Sequence, residues 1–263
     1  MSRIMIQIYE VQNPWEADSV IALGVDRIGT VLLFQDGWKA PILRDTVRAV
    51  QGMGAQSGMI PLFSEKETVF RILDYYQPDF VHFCEVLSPF PDDRKLAMKH
   101  CDALISLQED VKKRFPAAIM RSLSIPQTGI AKTEEIIENV LAIMGKLEPV
   151  SDFFLIDTLQ GLPGAKREQP VTGFVGITGE TCDWQIAKTI VAASSRPVIL
   201  AGGLGDLNVC EAIMAIKPAG VDSCTKTNAL GPDGRPIRFK KDLEKVKRMI
   251  EEVHRAEADL PGT

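Results

Sequence analysis

Apolar residues along this chain follow two alternating patterns. Short runs rich in β-branched and aromatic residues fall at 4–9, 27–33, 57–62, 79–84, 118–123, 152–157, 197–201 and 220–224, which is the length and composition of buried strands. Between and after them, apolar positions recur every three to four residues. That spacing predicts helices after Asn13 and over 40–52, 64–76, 92–114, 132–146, 183–194, 206–216 and 240–257. Punctuation agrees with the periods. Asn13-Pro14-Trp15-Glu16 supplies an N-cap, a first-turn proline and a capping-box glutamate, and Gly24 supplies a stop. Ser64-Glu65-Lys66-Glu67 reads as a second capping box, and Asp206 as the cap of the seventh helix. In the last helix Leu243, Val246, Met249, Ile250 and Val253 form the apolar stripe; Lys240, Lys241, Lys245, Lys247 and Arg248 read as its solvated face.

Eight strand–helix units imply a parallel sheet, and eight is the number that closes a barrel. The expected fold is therefore α/β, a single (β/α)8 barrel spanning residues 1–263 with no linker dividing it. An open doubly wound sheet is the competing fold, but no Gly-x-Gly-x-x-Gly follows the first strand. Two connections exceed ordinary length: 85–91 with the long helix behind it, and 158–182, rich in Gly, Pro and Thr. Both follow a strand's C-terminal end, where barrel active sites form, so either is a candidate lid.

Composition narrows the function classes. A net charge of −5 argues against a broad basic face for nucleic acid, while leaving room for a local anion pocket. No signal-peptide pattern opens the chain, and no run approaches 18 apolar residues, so neither export nor a membrane span is expected. The five cysteines, at 84, 101, 182, 210 and 224, are odd in number and form no Cys-x-x-Cys pair. They read as free thiols in a reducing, cytoplasmic compartment, without a disulfide framework or a metal site. No cofactor motif is present.

Chemistry in a barrel is placed at the C-terminal ends of strands. Gln7 and Tyr9 share one side of the first strand, and His82 and Cys84 one side of the fourth. His82 and Cys84 are a candidate base and nucleophile, or a satisfied histidine and a small apolar thiol. Glu85 is a candidate loop carboxylate. Arg121, if it points inward, needs an anion or a carboxylate partner. Asp157 ends an apolar strand, where a carboxylate is costly unless solvated, paired or used as a general acid or base. Gly202-Gly203 lets backbone N–H groups approach a phosphate near a helix N-terminus; the alternative is a tight turn with no ligand.

The strand ends resemble those of phosphoribosylanthranilate isomerases. Phe154-Leu155-Ile156-Asp157-Thr158 is similar to that family's sixth strand, ending in its catalytic Asp. Gly176-Ile177-Thr178-Gly179-Glu180-Thr181-Cys182-Asp183-Trp184 is similar to its next loop, and Leu200-Ala201-Gly202-Gly203-Leu204 to its phosphate loop. Gly220-Val221-Asp222 matches the start of its eighth strand, and Asn13 to Asp18 with Gly24 to Gly29 its first helix and second strand.

The resemblance implies a barrel of the ribulose-phosphate-binding type that performs an Amadori rearrangement in tryptophan biosynthesis. The substrate would be a small phosphorylated molecule, and the protein a monomer or homodimer. It also implies Asp157 as acid and Gly202 and Gly203 around phosphate, with Cys224 and Thr225 standing where the family's Ser-Ser-Gly phosphate segment falls; Gln7, Arg121 and Asp222 are the candidate substrate-binding residues at the strand ends. Departures fall where the chemistry is. The family's first strand reads Lys-Ile-Cys-Gly, its Cys the general base; here it is Gln7-Ile8-Tyr9-Glu10. Its fourth strand reads Gln-Leu-His-Gly; here it is His82-Phe83-Cys84-Glu85. The family's substrate-carboxylate Arg falls near Trp38, with Lys39 adjacent. Tyr9, with an ordinary pKa near 10, is a poor base, and Glu10 would alternate away from the mouth. His82, Cys84 and Glu85 are candidates for a relocated base. Two other readings stay open: a barrel that has lost catalysis and binds a phosphorylated ligand, and a phosphosugar lyase or aldolase. Lys226, the nearest Schiff-base candidate, lies in a loop.

Overall fold

Eight parallel strands close on themselves in sequence order, each feeding a helix that returns along the outside. The computed structural model describes residues 3–129, 133–160 and 171–260. The strands are β1 (Met5–Tyr9), β2 (Arg27–Leu32), β3 (Gln56–Pro61), β4 (Phe80–Phe83), β5 (Ala118–Pro126), β6 (Phe153–Leu159), β7 (Val198–Leu200) and β8 (Gly220–Ser223). The helices are α1 (Pro14–Ile21), α2 (Pro41–Gly52), α3 (Lys66–Tyr76), α4 (Arg94–Arg114), α5 (Thr133–Leu147), α6 (Trp184–Ala193), α7 (Val209–Ile216) and α8 (Leu243–Asp259). The (β/α)8 expectation holds, and β1 closes the ring on β8 with Ile6 opposite Val221 and Gln7 opposite Asp222.

Strand alternation divides the apolar side chains between two layers. Ile6, Ile8, Ile28, Phe154, Ile156, Leu200 and Val221 pack outward against helix residues such as Val20, Ile143, Ile186 and Val246. Tyr9, Val31, Phe80, Met120, Leu155 and Ile199 face inward. The α8 stripe Val246, Met249, Ile250 and Val253 is buried as its period requires, each side chain contributing about 1.5–3 kcal/mol. Two glycines make the interior possible. A Cβ on Gly29 would stand 1.8 Å from the Tyr9 ring, and one on Gly58 2.2 Å from the Phe80 ring, so these strand positions are left empty for neighbouring aromatics.

Local signals are partly revised. Asn13 caps α1, its Oδ1 accepting from Glu16 N at 2.8 Å, but the Glu16 carboxylate accepts from Lys241 N at 2.6 Å, so it does not close a capping box. Glu65, not Ser64, caps α3, accepting from the Glu67 and Thr68 N–H groups. Asp206 does not cap α7: it pairs with Arg248 at 2.6 Å, and the helix starts three residues later than expected. The last helix is also shorter than its reading, starting at Leu243 behind the Asp242 cap. Residues 228–241 instead form an antiparallel hairpin, β9 (Asn228–Leu230) and β10 (Pro236–Lys241). Lys241 is consequently buried, its Nζ donating to Asn228 Oδ1 at 2.6 Å and Cys224 O at 3.0 Å, because a buried ammonium must satisfy its protons. Among the described residues no helix is long and apolar enough to cross a membrane.

Candidate functional site

The strands' C-terminal ends open into two adjoining cavities. The larger, about 510 Å³, has walls of Val31, Ile60, Leu62, Leu155, Val171 and Phe174, with Tyr9, His82 and Cys84 among them. The smaller, about 270 Å³, is bounded by Gly179, Gly202, Gly203, Thr225 and Lys226. Asp157, Ile177, Asp222 and Cys224 belong to the walls of both. An apolar chamber thus meets a polar, glycine-lined one across two carboxylates.

Asp157 leaves β6 at that junction. Enclosure raises its pKa from 3.8 to about 7, against the Thr158 backbone N–H, which donates to Oδ1 at 2.7 Å and holds it down. A carboxyl group poised there can give or take a proton at neutral pH. Asp222, on β8, is pushed to about 8, first by burial; the Asp157 charge adds to the rise, while the Gln7 amide, donating to Oδ1 at 3.0 Å, opposes it. Gln7 therefore sits beneath the site and orients Asp222, lining neither cavity. Gly176 gives Asp157 its room: a Cβ there would stand 2.7 Å from Oδ2, at a φ of +118° that L-residues avoid.

The glycine pair is shaped for close backbone approach. Gly202 and Gly203 have φ of +83° and +59°, and Cβ atoms there would lie 2.3 Å from Thr158 Oγ1 and 2.8 Å from the Gly179 carbonyl oxygen. The tight turn is present, and it sets peptide groups at the cavity wall, the geometry that an anion would require. Thr225 joins this wall, and Lys226 is exposed at its edge.

On the apolar side several expectations change. The Tyr9 ring lies on Gly29, and its hydroxyl meets His82 Nδ1 at 2.8 Å. Burial, then the Asp222 charge, push the phenol well above its ordinary value, so Tyr9 stands protonated in the chamber wall. His82 Nε2 meets Ser122 Oγ at 2.8 Å, so both ring nitrogens are engaged. Burial, with the Arg121 charge, lowers its pKa to about 3, leaving a neutral imidazole. Burial raises the Cys84 thiol well above the ordinary range, which makes it a poor nucleophile.

Arg121 does not reach the mouth. It pairs in register with Phe83 and lies over that ring at 5.2 Å, on the helix side of the sheet. Its Nε donates to Gln108 of α4 at 2.8 Å and its Nη1 to Glu85 at 2.5 Å. Glu85 is spent in the same buried ion pair and lines neither cavity, since an unpaired guanidinium there would be prohibitive. Trp38 and Lys39 lie against Tyr75, away from the chamber.

Sequence reasoning missed Glu10. It was expected to turn away, yet its backbone adopts φ +63°, which rotates it into the wall of the larger chamber, fully buried. Such a conformation costs a non-glycine residue about 1–3 kcal/mol and is tolerated where surroundings enforce it. Arg238 of β10 enforces it here: Nε and Nη2 both donate to Glu10 Oε1, the first at 2.8 Å. The signal was the turn sequence Gly231-Pro232-Asp233-Gly234, which announces the hairpin that delivers Arg238.

The two long connections meet above the apolar chamber. Glu85 bridges Phe174, Val86 N donates to Gly173 O at 2.9 Å, and Val175 N to Cys84 O at 2.8 Å. Residues 161–170 of the expected lid lie outside the described residues.

Comparison with known proteins shows what the chain is similar to. The family model for N-(5'-phosphoribosyl)anthranilate isomerase matches residues 139–252. N-(5'-phosphoribosyl)anthranilate isomerase 1 of Methanosarcina mazei is 31% identical over 155 residues, 58% of each chain. The corresponding protein of Methanothrix thermoacetophila is 23% identical over 251 residues, 92% of this chain and 97% of its own. At 30% identity or better, the matches span about half the length of the curated relatives. The solved structure of the Pyrococcus furiosus isomerase superposes with a TM-score of 0.66 at 17% identity, over 96% of this chain and 100% of that one, and shares the fold. The chain is thus similar in sequence to the phosphoribosylanthranilate isomerases over residues 139–252 and shares their fold over nearly its whole length.

Proposed function

We propose that this chain is an acid–base isomerase that converts a phosphorylated ribosylamine into the corresponding ketose, with phosphoribosylanthranilate the substrate to test first. The observation that carries the reading is the position of Asp157 in the shared wall of an apolar and a glycine-lined chamber. A substrate whose two ends differ in this way places its ribose between them. Phosphate lies against Gly202, Gly203 and Thr225, where peptide dipoles offset its charge. The aromatic ring fills the chamber above Tyr9 and is removed from water there. Asp157, near pKa 7, gives its proton to the ribose ring oxygen, and the C1–O bond breaks to leave a protonated imine. Loss of the C2 proton then gives an enolamine that tautomerises to the ketone, so the reaction is redox-neutral. Asp222, held by Gln7, is placed to hydrogen-bond the ribose hydroxyls. We infer a monomer or homodimer acting on a small phosphorylated molecule in the cytoplasm.

Single-turnover mixing with phosphoribosylanthranilate, followed by its fluorescence, tests the reading. Wild type consumes the substrate, and Asp157→Asn slows it by about 10²- to 10⁴-fold while still binding the product analogue whose carbonyl is reduced to an alcohol. A wild type that binds the analogue and leaves the substrate intact would make this a ligand-binding barrel.

A further inference from the structure

We propose that Glu10 is the general base that removes the C2 proton, an assignment that rests on the isomerase reading above. Three observations place it. Its backbone occupies the left-handed region, a conformation unfavourable for glutamate, and thereby turns the side chain into the chamber wall. Arg238, arriving from the β9–β10 hairpin, holds one carboxylate oxygen and supplies the countercharge that lets a buried carboxylate exist. The other oxygen, Oε2, is buried and meets no nitrogen or oxygen donor among the described residues; its only polar neighbour of note is the Cys224 thiol, which lies against this carboxylate and is a weak donor. A buried oxygen left unpaired is costly, and at a reaction centre the missing partner is supplied by substrate.

Competing groups in the same wall are less suited. Tyr9 and His82 engage each other, and His82 has its second nitrogen on Ser122. Burial holds the Cys84 and Cys224 thiols protonated at neutral pH. Asp157 is already engaged as the acid that opens the ring, and Asp222 is held by the Gln7 amide, with burial raising it to about 8. In the step itself Oε2 accepts the C2 hydrogen as a proton. The C2–H electron pair becomes the C1=C2 bond, and the imine π pair returns to nitrogen, which discharges the cation that Asp157 created. The carboxyl group of Glu10 then returns the proton to C1 as the C1=C2 pair reaches for it; the enol O–H pair becomes the C2=O bond, its proton leaves to water, and Asp157 regains a proton from water.

The test compares wild type, Glu10→Gln and Glu10→Asp in single turnovers of phosphoribosylanthranilate bearing protium or deuterium at ribose C2. Calorimetric binding of the reduced product analogue is measured alongside. Glu10→Gln keeps the Arg238 contact but cannot accept a proton, so its rate falls about 10²- to 10⁴-fold with analogue affinity within about threefold of wild type. Glu10→Asp, shorter by one methylene, retains measurable turnover and a primary isotope effect. Three outcomes overturn the assignment: Glu10→Gln turning over within about threefold of wild type; loss of analogue binding in proportion to loss of rate, which marks a structural role; or Cys224→Ser removing turnover while Glu10→Gln keeps it. A wild type inert towards the substrate overturns the isomerase reading itself, which separates that failure from these.

Discussion

The two chambers of this mouth are built by different means. The glycine-lined chamber is bounded by residues 157 to 226, all within the stretch that matches the family model, and its shape comes from backbone: glycines at positive φ and two loops in contact. The apolar chamber draws Tyr9, Glu10, Val31, Ile60, Leu62, His82 and Cys84 from outside that stretch, and its shape comes from side chains. A backbone cradle reads only an anion, so it serves any phosphorylated substrate. A side-chain chamber would read the rest of the molecule and, on the function proposed above, hold the proton-transfer groups, so a changed substrate or a relocated base would be accommodated there. The comparison predicts that damage on the glycine side appears mainly as weaker binding, and damage at the carboxylates as slower turnover.

The largest effect is expected at the boundary. Gly176→Val would drive a side chain to within 2.7 Å of Asp157 Oδ2 from a backbone at φ +118°. Displacing an acid by about 1 Å can cost on the order of 10²-fold in rate, so kcat should fall at least that far. Calorimetry should show the reduced product analogue still bound. Equal losses of rate and affinity would break the division between the chambers.

Next in size is a pH-dependent loss of stability. Asp222 is raised to about 8 in the folded chain, whereas its ordinary value is 3.8. Between those values the folded state holds a proton that the unfolded chain has released, so stability falls as pH rises through about 4 to 8, and the loss is complete above 8. Asp157, raised to about 7, adds to this more weakly because it is partly exposed. Urea unfolding at pH 5 and 8.5 should show wild type losing on the order of a few kcal/mol, and Asp222→Asn losing clearly less. Identical losses would place the raised carboxylates elsewhere.

On the glycine side, Gly202→Ala places a Cβ 2.3 Å from Thr158 Oγ1. The turn must shift, and ribose 5-phosphate should bind about tenfold more weakly, a cost of about 1.4 kcal/mol. The single-turnover rate at saturating substrate should change far less. An unchanged affinity would remove the phosphate from this chamber.

These residues differ in how far sequence alone reveals them. Asn13, Asp157, Gly202 and the eight strands are local: a cap, a strand end, a turn and a period each depend on neighbours within a few residues. Arg121 was misplaced because alternation says which residues share a side and not which side is inside; Phe83 beside it, packed under α3 and α4, decides that. Glu10 was misplaced because it lies one residue beyond its strand, where alternation ends. Its partner Arg238 is 228 positions away in a hairpin that the strand periods do not show, and whose end, Lys240 and Lys241, reads as the start of the last helix. The polar run Arg238-Phe239-Lys240-Lys241 looks like a solvated helix start until Lys241 finds Asn228 and Cys224. Long-range charge pairing leaves no local trace, and here it defines the chemistry.

The smallest expected effect makes the sharpest distinction. Tyr9 occupies the first-strand position where the resembled family carries its base, so a catalytic Tyr9 and a structural one predict different outcomes for Tyr9→Phe. The ring on Gly29 stays, and only the hydroxyl that meets His82 Nδ1 at 2.8 Å is lost. Removing it leaves a buried imidazole nitrogen short of a partner, which costs about 1–3 kcal/mol of stability, or a few degrees of Tm in a domain of this size. The proton chemistry does not pass through that hydroxyl, whose pKa burial holds well above neutral. Turnover by Tyr9→Phe should therefore stay within about threefold of wild type, against the loss of 10²-fold or more expected when a general base is removed. A folded Tyr9→Phe protein that had lost turnover to that extent would return the base to the first strand and make Glu10 its support.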